Sequence, residues 1–127
     1  MIAKCLRARY VSVMESSFAP LLVLCSFPDE NEARQIGTLL LEKQLAACVT
    51  FVATQSLYHW QGKIESASEV QAHIKTSGSH YPALEALIRE HHSYQVPEII
   101  GLPIGEISSL YRDWMCTGLS HAVPMDQ

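Results

Sequence analysis

The stretch Ser56–Thr76, SLYHWQGKIESASEVQAHIKT, decides the fold. Past Gln61-Gly62 it alternates, with Ile64, Ser66, Ser68, Val70, Ala72 and Ile74 on one side. Lys63, Glu65, Glu69, Gln71, His73 and Lys75 fall on the other. A period of two is that of a strand with one face buried. Traced back to Ala47, the segment reads as one long β-hairpin turning at Gln61-Gly62. Such an arm reaches about 40 Å at about 3.3 Å per residue. A domain of this chain length spans only about 35–40 Å. The hairpin therefore overhangs its own domain, and an overhanging strand edge calls for a partner. The expected partner is another copy of the chain.

The 127 residues suit one domain, and 48% of them are hydrophobic, which argues against disorder. A net charge of −4 without a lysine or arginine run gives no footprint for nucleic acid. Four cysteines, at positions 5, 25, 48 and 116, show no CxxC and read as reduced thiols of a cytoplasmic protein rather than a disulfide framework. The apolar run Phe18–Phe27 is too short to insert across a bilayer. It also lacks a signal peptide's features, since Leu24 is not small and Glu15 precedes the run. The basic first thirteen residues read as a mobile arm, a weak targeting segment or an extension ahead of Met14.

Working outward from the hairpin, Leu21–Phe27 is apolar on both faces and reads as a buried strand. Pro28-Asp29-Glu30 opens a helix whose apolar stripe is Ala33, Ile36, Leu39 and Leu40 and which Lys43 closes. A second helix is expected to start at Ser79 as N-cap, with Leu84, Leu87, Ile88 and His91 buried. Pro97–Ile104 reads as another buried strand, and Glu106–Leu119 as a last helix with Ile107, Leu110, Tyr111, Trp114 and Met115 at helical spacing. The order β-α-β-β-α-β plus a terminal helix predicts an α+β, ferredoxin-like split β-α-β sandwich. Residues 1–19 are read as an N-terminal extension, 20–119 as the domain and 120–127 as a tail.

Candidate sites are few. His91 and His92 point about 100° apart if both are helical, so they do not chelate one ion from one helix face; helix-end chemistry is the plainer reading. Cys25 ends the first strand just before a helix N-terminus, a place that favours a thiolate, although in LLVLCSF it also reads as a small core residue. No third group orients a Cys/His nucleophile pair, and the chain is read as non-enzymatic. Tyr58 and Trp60 share one face of the first hairpin arm. They either pack into a neighbouring subunit or line a pocket between subunits, to which Glu69, Lys75, Tyr94 and Glu98 would add polar groups.

Several segments carry a resemblance: VLCSFPDENEA (Val23–Ala33), EKQLAACV (Glu42–Val49), the hairpin itself, HHSYQVPEIIGLPI (His91–Ile104) and YRDWM (Tyr111–Met115). Together they resemble the CutA family of divalent-cation tolerance proteins over about residues 20–119. The resemblance implies a PII-like homotrimer whose hairpins wrap their neighbours, with a part in cation homeostasis and the response to metal ions. It also implies copper, or a similar ion such as zinc, held by Cys25, His91 and His92. Sulfur with imidazole nitrogen suits those metals better than magnesium or calcium. The chain departs from the family's pattern at Ala53-Thr54-Gln55, where relatives carry a Pro-Gly-like break, and at Gln61, where an acid is usual. A rival reading is a PII-like sensor that binds a small anion or metabolite between subunits through Trp60, Lys75, Tyr94 and Glu98.

Overall fold

The computed structural model describes residues 18–120. The expected extension over 1–19 and tail over 120–127 therefore lie, apart from Phe18, Ala19 and Ser120, outside the described residues. Strand β1 (Pro20–Phe27) leads into helix α1 (Glu30–Glu42), then β2 (Cys48–Trp60) and β3 (Lys63–Ser77). A single 3-10 turn (Gly78–His80) precedes α2 (Tyr81–His91), followed by β4 (Ile99–Pro103) and α3 (Ser109–Gly118). The strands form one antiparallel sheet in the order β2-β3-β1-β4. This is the ferredoxin-like α+β arrangement expected from the element order.

Local chemistry sets the boundaries. Asp29 caps α1, its Oδ1 accepting from the Glu32 N–H at 2.9 Å, and Glu30 and Glu32 sit in the first turn, where the dipole favours acids. Ala33, Ile36 and Leu40 of α1 and Leu84 and Ile88 of α2 are at most 2% exposed and pack on Val23, Cys25, Phe27, Ala72 and Ile74 of the sheet. Complete burial of each large side chain contributes about 1.5–3 kcal/mol. The hairpin turns on Gln61 (φ 51°) and Gly62 (φ 81°), the two positive φ angles of a tight primed turn. Glutamine tolerates this region less well than asparagine. Gln61→Asn is therefore expected to raise stability by about 0.5–1 kcal/mol in denaturant unfolding; a lower midpoint would contradict the turn assignment.

The overhang is real. All of β2 pairs with β3, from Cys48 opposite Lys75 to Trp60 opposite Lys63. Only Val70–Ser77 of β3 pairs with β1. The segment 63–69 thus projects past the rest of the sheet by about 23 Å, at about 3.3 Å per residue. On this arm Leu57 and Ile64 are 76% and 72% exposed. The helices cover one face of the sheet; on the other, Val52, Ile100 and Leu102 stand open, and Leu22 and Leu24 are only half-buried.

Three expectations need correction. The strand at Pro97–Ile104 shortens to Ile99–Pro103 and is an exposed edge rather than buried, because among the described residues β1 is its only neighbour in the sheet. Ser79 does not cap α2: the chain passes through the 3-10 turn, and Ser77 Oγ binds His80 Nδ1 instead. The last helix starts at Ser109, capped by Ser108 Oγ on the Tyr111 N–H, and of its expected apolar positions only Met115 is fully buried. Cys25 and Cys48 are free thiols, as expected.

Candidate functional site

Helix α2 stops at His91, and His92 takes an extended conformation (φ −73°, ψ 140°). This change of backbone throws the two adjacent rings to different places. His91 remains exposed, folded back so that Nδ1 donates to the Leu87 carbonyl at 3.0 Å, which leaves Nε2 open to solvent. The expectation of a buried His91 fails because its ring completes the end of its own helix rather than facing the sheet.

His92 turns inward and organises the loop that follows. Its side chain is fully buried and stacks on Phe27, with centroids 4.6 Å apart and planes 14° from parallel. Nε2 lies 2.8 Å from the Ser26 carbonyl, and Nδ1 lies 3.0 Å from the Tyr94 N–H. A carbonyl only accepts and an amide only donates, so the proton sits on Nε2. Glu32 approaches Nδ1 at 3.5 Å and accepts from the Ser93 N–H at 2.8 Å, holding the loop to α1.

The loop, so held, faces the overhanging hairpin across a cleft of ≈ 830 Å³. Tyr94 bridges the two sides: its hydroxyl donates to Glu69 Oε2 at 2.6 Å. Burial, with the bond to Glu69 second, holds that phenol well above its ordinary pKa, so it stays a donor. On the floor, Ser26 Oγ donates to Glu98 Oε1 at 2.5 Å. Tyr58 and Trp60 form the hairpin wall. Volumes of this size, with apolar walls and a few directed polar groups, are those of small-molecule sites.

Five of the six expected pocket residues border this cleft: Tyr58, Trp60, Glu69, Tyr94 and Glu98. Lys75 does not. It lies opposite Cys48 and Leu22 at the root of the hairpin, six residues and about 20 Å along the strand from Glu69. Period-two reasoning places two residues on one face but says nothing about distance along it. Ser26, His59, Ser93, Gln95, Val96 and Pro97 are lining residues that the sequence did not single out for the pocket. A signal existed for Ser26, which alternates with Cys25 and so faces away from the core.

Cys25, His91 and His92 do not form a metal centre within the protomer. Cys25 is 0% exposed in the core. Burial, aided by the negative charges of Glu98 and Glu32, pushes its thiol from 9.0 up to about 12, which disfavours the thiolate that a metal requires. Both ring nitrogens of His92 are engaged. Of the three, only His91 offers a free ligand atom. Among the described residues no group of three or more His, Cys, Asp or Glu is placed to hold an ion, and no helix is long and apolar enough to cross a membrane.

The family profile described as CutA1 divalent ion tolerance protein matches residues 21–117. The Escherichia coli K12 / DH10B protein named divalent-cation tolerance protein CutA is 40% identical over 105 residues, which cover 82% of this chain and 94% of the relative. Among solved structures, the divalent cation tolerance protein from Thermus thermophilus is 37% identical with a TM-score of 0.77, covering 80% of this chain and 99% of that one. CutA1 from Oryza sativa is 30% identical with a TM-score of 0.79, covering 82% and 96%. The Archaeoglobus fulgidus relative, named a periplasmic divalent cation tolerance protein, is 32% identical with a TM-score of 0.78 and covers 80% and 99%. The profile match spans the sheet, the hairpin and the loop that walls the cleft, and the chain belongs to the CutA1 divalent ion tolerance protein family.

Proposed function

We propose that the chain serves divalent-cation tolerance as a non-enzymatic homotrimer that contacts copper, or a similar ion such as zinc, and takes part in cation homeostasis. Its assembly rests on apolar side chains left exposed on the bare sheet face (Val52, Ile100 and Leu102) and on the overhanging arm (Leu57 and Ile64), without cover among the described residues. One observation carries the metal contact: the Leu87 carbonyl orients the His91 imidazole and leaves Nε2 free. Copper titration by calorimetry tests it. His91→Ala is expected to weaken binding by at least about tenfold, or about 1.4 kcal/mol, while Cys25→Ala leaves it unchanged. Affinity should fall on acidification, since protons compete for the ligand nitrogen. Loss of binding in Cys25→Ala with retention in His91→Ala would reject this assignment.

A second reading is favoured by the cleft itself: a PII-like sensor that binds a small metabolite between the hairpin and the loop after α2. A metabolite that raises the melting temperature with metals chelated would support it.

A cytoplasmic location is part of the proposal and rests on the free thiols of Cys25 and Cys48. The periplasmic name of the Archaeoglobus relative stands against it. Fractionation of the native cell separates the two.

A further inference from the structure

Glu69 is 9% exposed, yet only Oε2 of its carboxylate is hydrogen-bonded, to Tyr94. Among the described residues nothing donates to Oε1. A carboxylate removed from water calls for donors on both oxygens. Glu98 borders the same cleft, and there too only one oxygen has a donor, from Ser26. Among the described residues no lysine or arginine lines the space. Two negative groups thus face a cleft without a matching fixed charge in its lining, between walls contributed by Tyr58, Trp60 and Tyr94.

Resting on the reading of this cleft as a metabolite site, we propose that its ligand is a small organic cation, an alkylammonium or guanidinium compound. The charged N–H groups meet Glu69 Oε1 and Glu98, forming charge-assisted hydrogen bonds in a partly desolvated place. The carbon skeleton lies along Trp60 and Tyr58, whose ring faces attract a cation as well as apolar surface. An anion, as in the sensor reading of the sequence, would meet like charge without a counter-ion once Lys75 is placed at the far end of the hairpin. A hydrated divalent ion fits less well than an organic one. The aromatic walls supply it only neutral phenol oxygens, and among the described residues no group of three or more His, Cys, Asp or Glu converges at the cleft.

The test uses the full chain with a chelator present. The chain has two tryptophans, so a Trp114→Phe background leaves Trp60 as the fluorescent reporter in the cleft. Diaminobutane is the probe, with butanediol and succinate as neutral and anionic counterparts of the same length. Saturable quenching by millimolar diamine alone is expected, weakened by added salt and at least about tenfold weaker in Glu69→Gln. Glu69→Gln keeps the shape of the side chain, and an unchanged melting curve shows that the variant is folded. Equal binding of butanediol, tighter binding of succinate, or an unaffected Glu69→Gln overturns the cationic ligand while leaving the cleft a binding site. Failure of all three probes to bind overturns both.

Discussion

A protein carrying Ile100→Glu and Leu102→Glu is expected to run as single 14.2 kDa subunits, and the unaltered chain, on the assembly proposed above, as three. Both side chains lie on the face of the sheet away from the helices, 46% and 41% exposed in the protomer. Glutamate at either place therefore remains in water while the subunit is alone and leaves the core untouched. In an assembly that closes this face, the carboxylates would be buried without partners, at a cost of several kcal/mol each. Forgoing the remaining apolar burial of the original side chains, less than half of each, costs about a further 1 kcal/mol apiece. Light scattering should show the change in mass while circular dichroism stays the same. A variant with the mass of the unaltered protein would remove this face from the interface, and an unaltered protein that is monomeric when dilute would remove the trimer.

Cys25 is expected to react with a thiol reagent about a thousandfold more slowly than an ordinary exposed cysteine. The thiol is raised from 9.0 to about 12, first by burial and then by the charges of Glu98 and Glu32, and a rise of that size reduces the thiolate about a thousandfold. Cys48, a half-buried free thiol, provides an internal comparison. The same shift has a thermodynamic side. Between pH 9.0 and about 12 the folded chain keeps the Cys25 proton that the unfolded chain releases. The folded state then binds more protons, so stability falls as pH rises through that window. The loss is bounded by about 4 kcal/mol, at about 1.4 kcal/mol for each pH unit. Tyr94, raised by burial and by its bond to Glu69, adds to the alkaline loss. Cys25→Ala should be less stable at neutral pH but show a shallower decline in alkali. Rapid native alkylation of Cys25, or an alkaline slope identical in the variant, would show that the thiol is not held as described.

The hairpin and the first helix were legible because their signals are local. Alternation fixes the faces of β3, Gln61-Gly62 marks the turn, and Asp29 followed by acids marks the start of α1. The face of an element that looks away from its own core was harder to read. Ile99–Pro103 has the composition of a buried strand, yet among the described residues it is an edge paired with β1 alone, and Ile100 and Leu102 on its outer face stand exposed. At the site, residue types were informative and reach was not. Glu69, Tyr94 and Glu98 meet at the cleft, whereas Lys75, on the same face of the same strand as Glu69, does not. His91 and His92 separate because the helix ends between them, and one backbone dihedral decides that.

Strand β1 is made before the rest of the domain but is completed after it. Its neighbours come from far along the chain: Pro20 lies opposite Ser77, and Leu21 opposite Pro103. Among the described residues no nearby segment pairs with it, whereas β2 and β3 meet through a two-residue turn. During synthesis the hairpin can therefore close early, while PLLVLCSF waits for its second neighbour until β4 has left the ribosome. The central strand is the interval's exposed apolar segment, and a chaperone that guards this protein has one obvious stretch to hold.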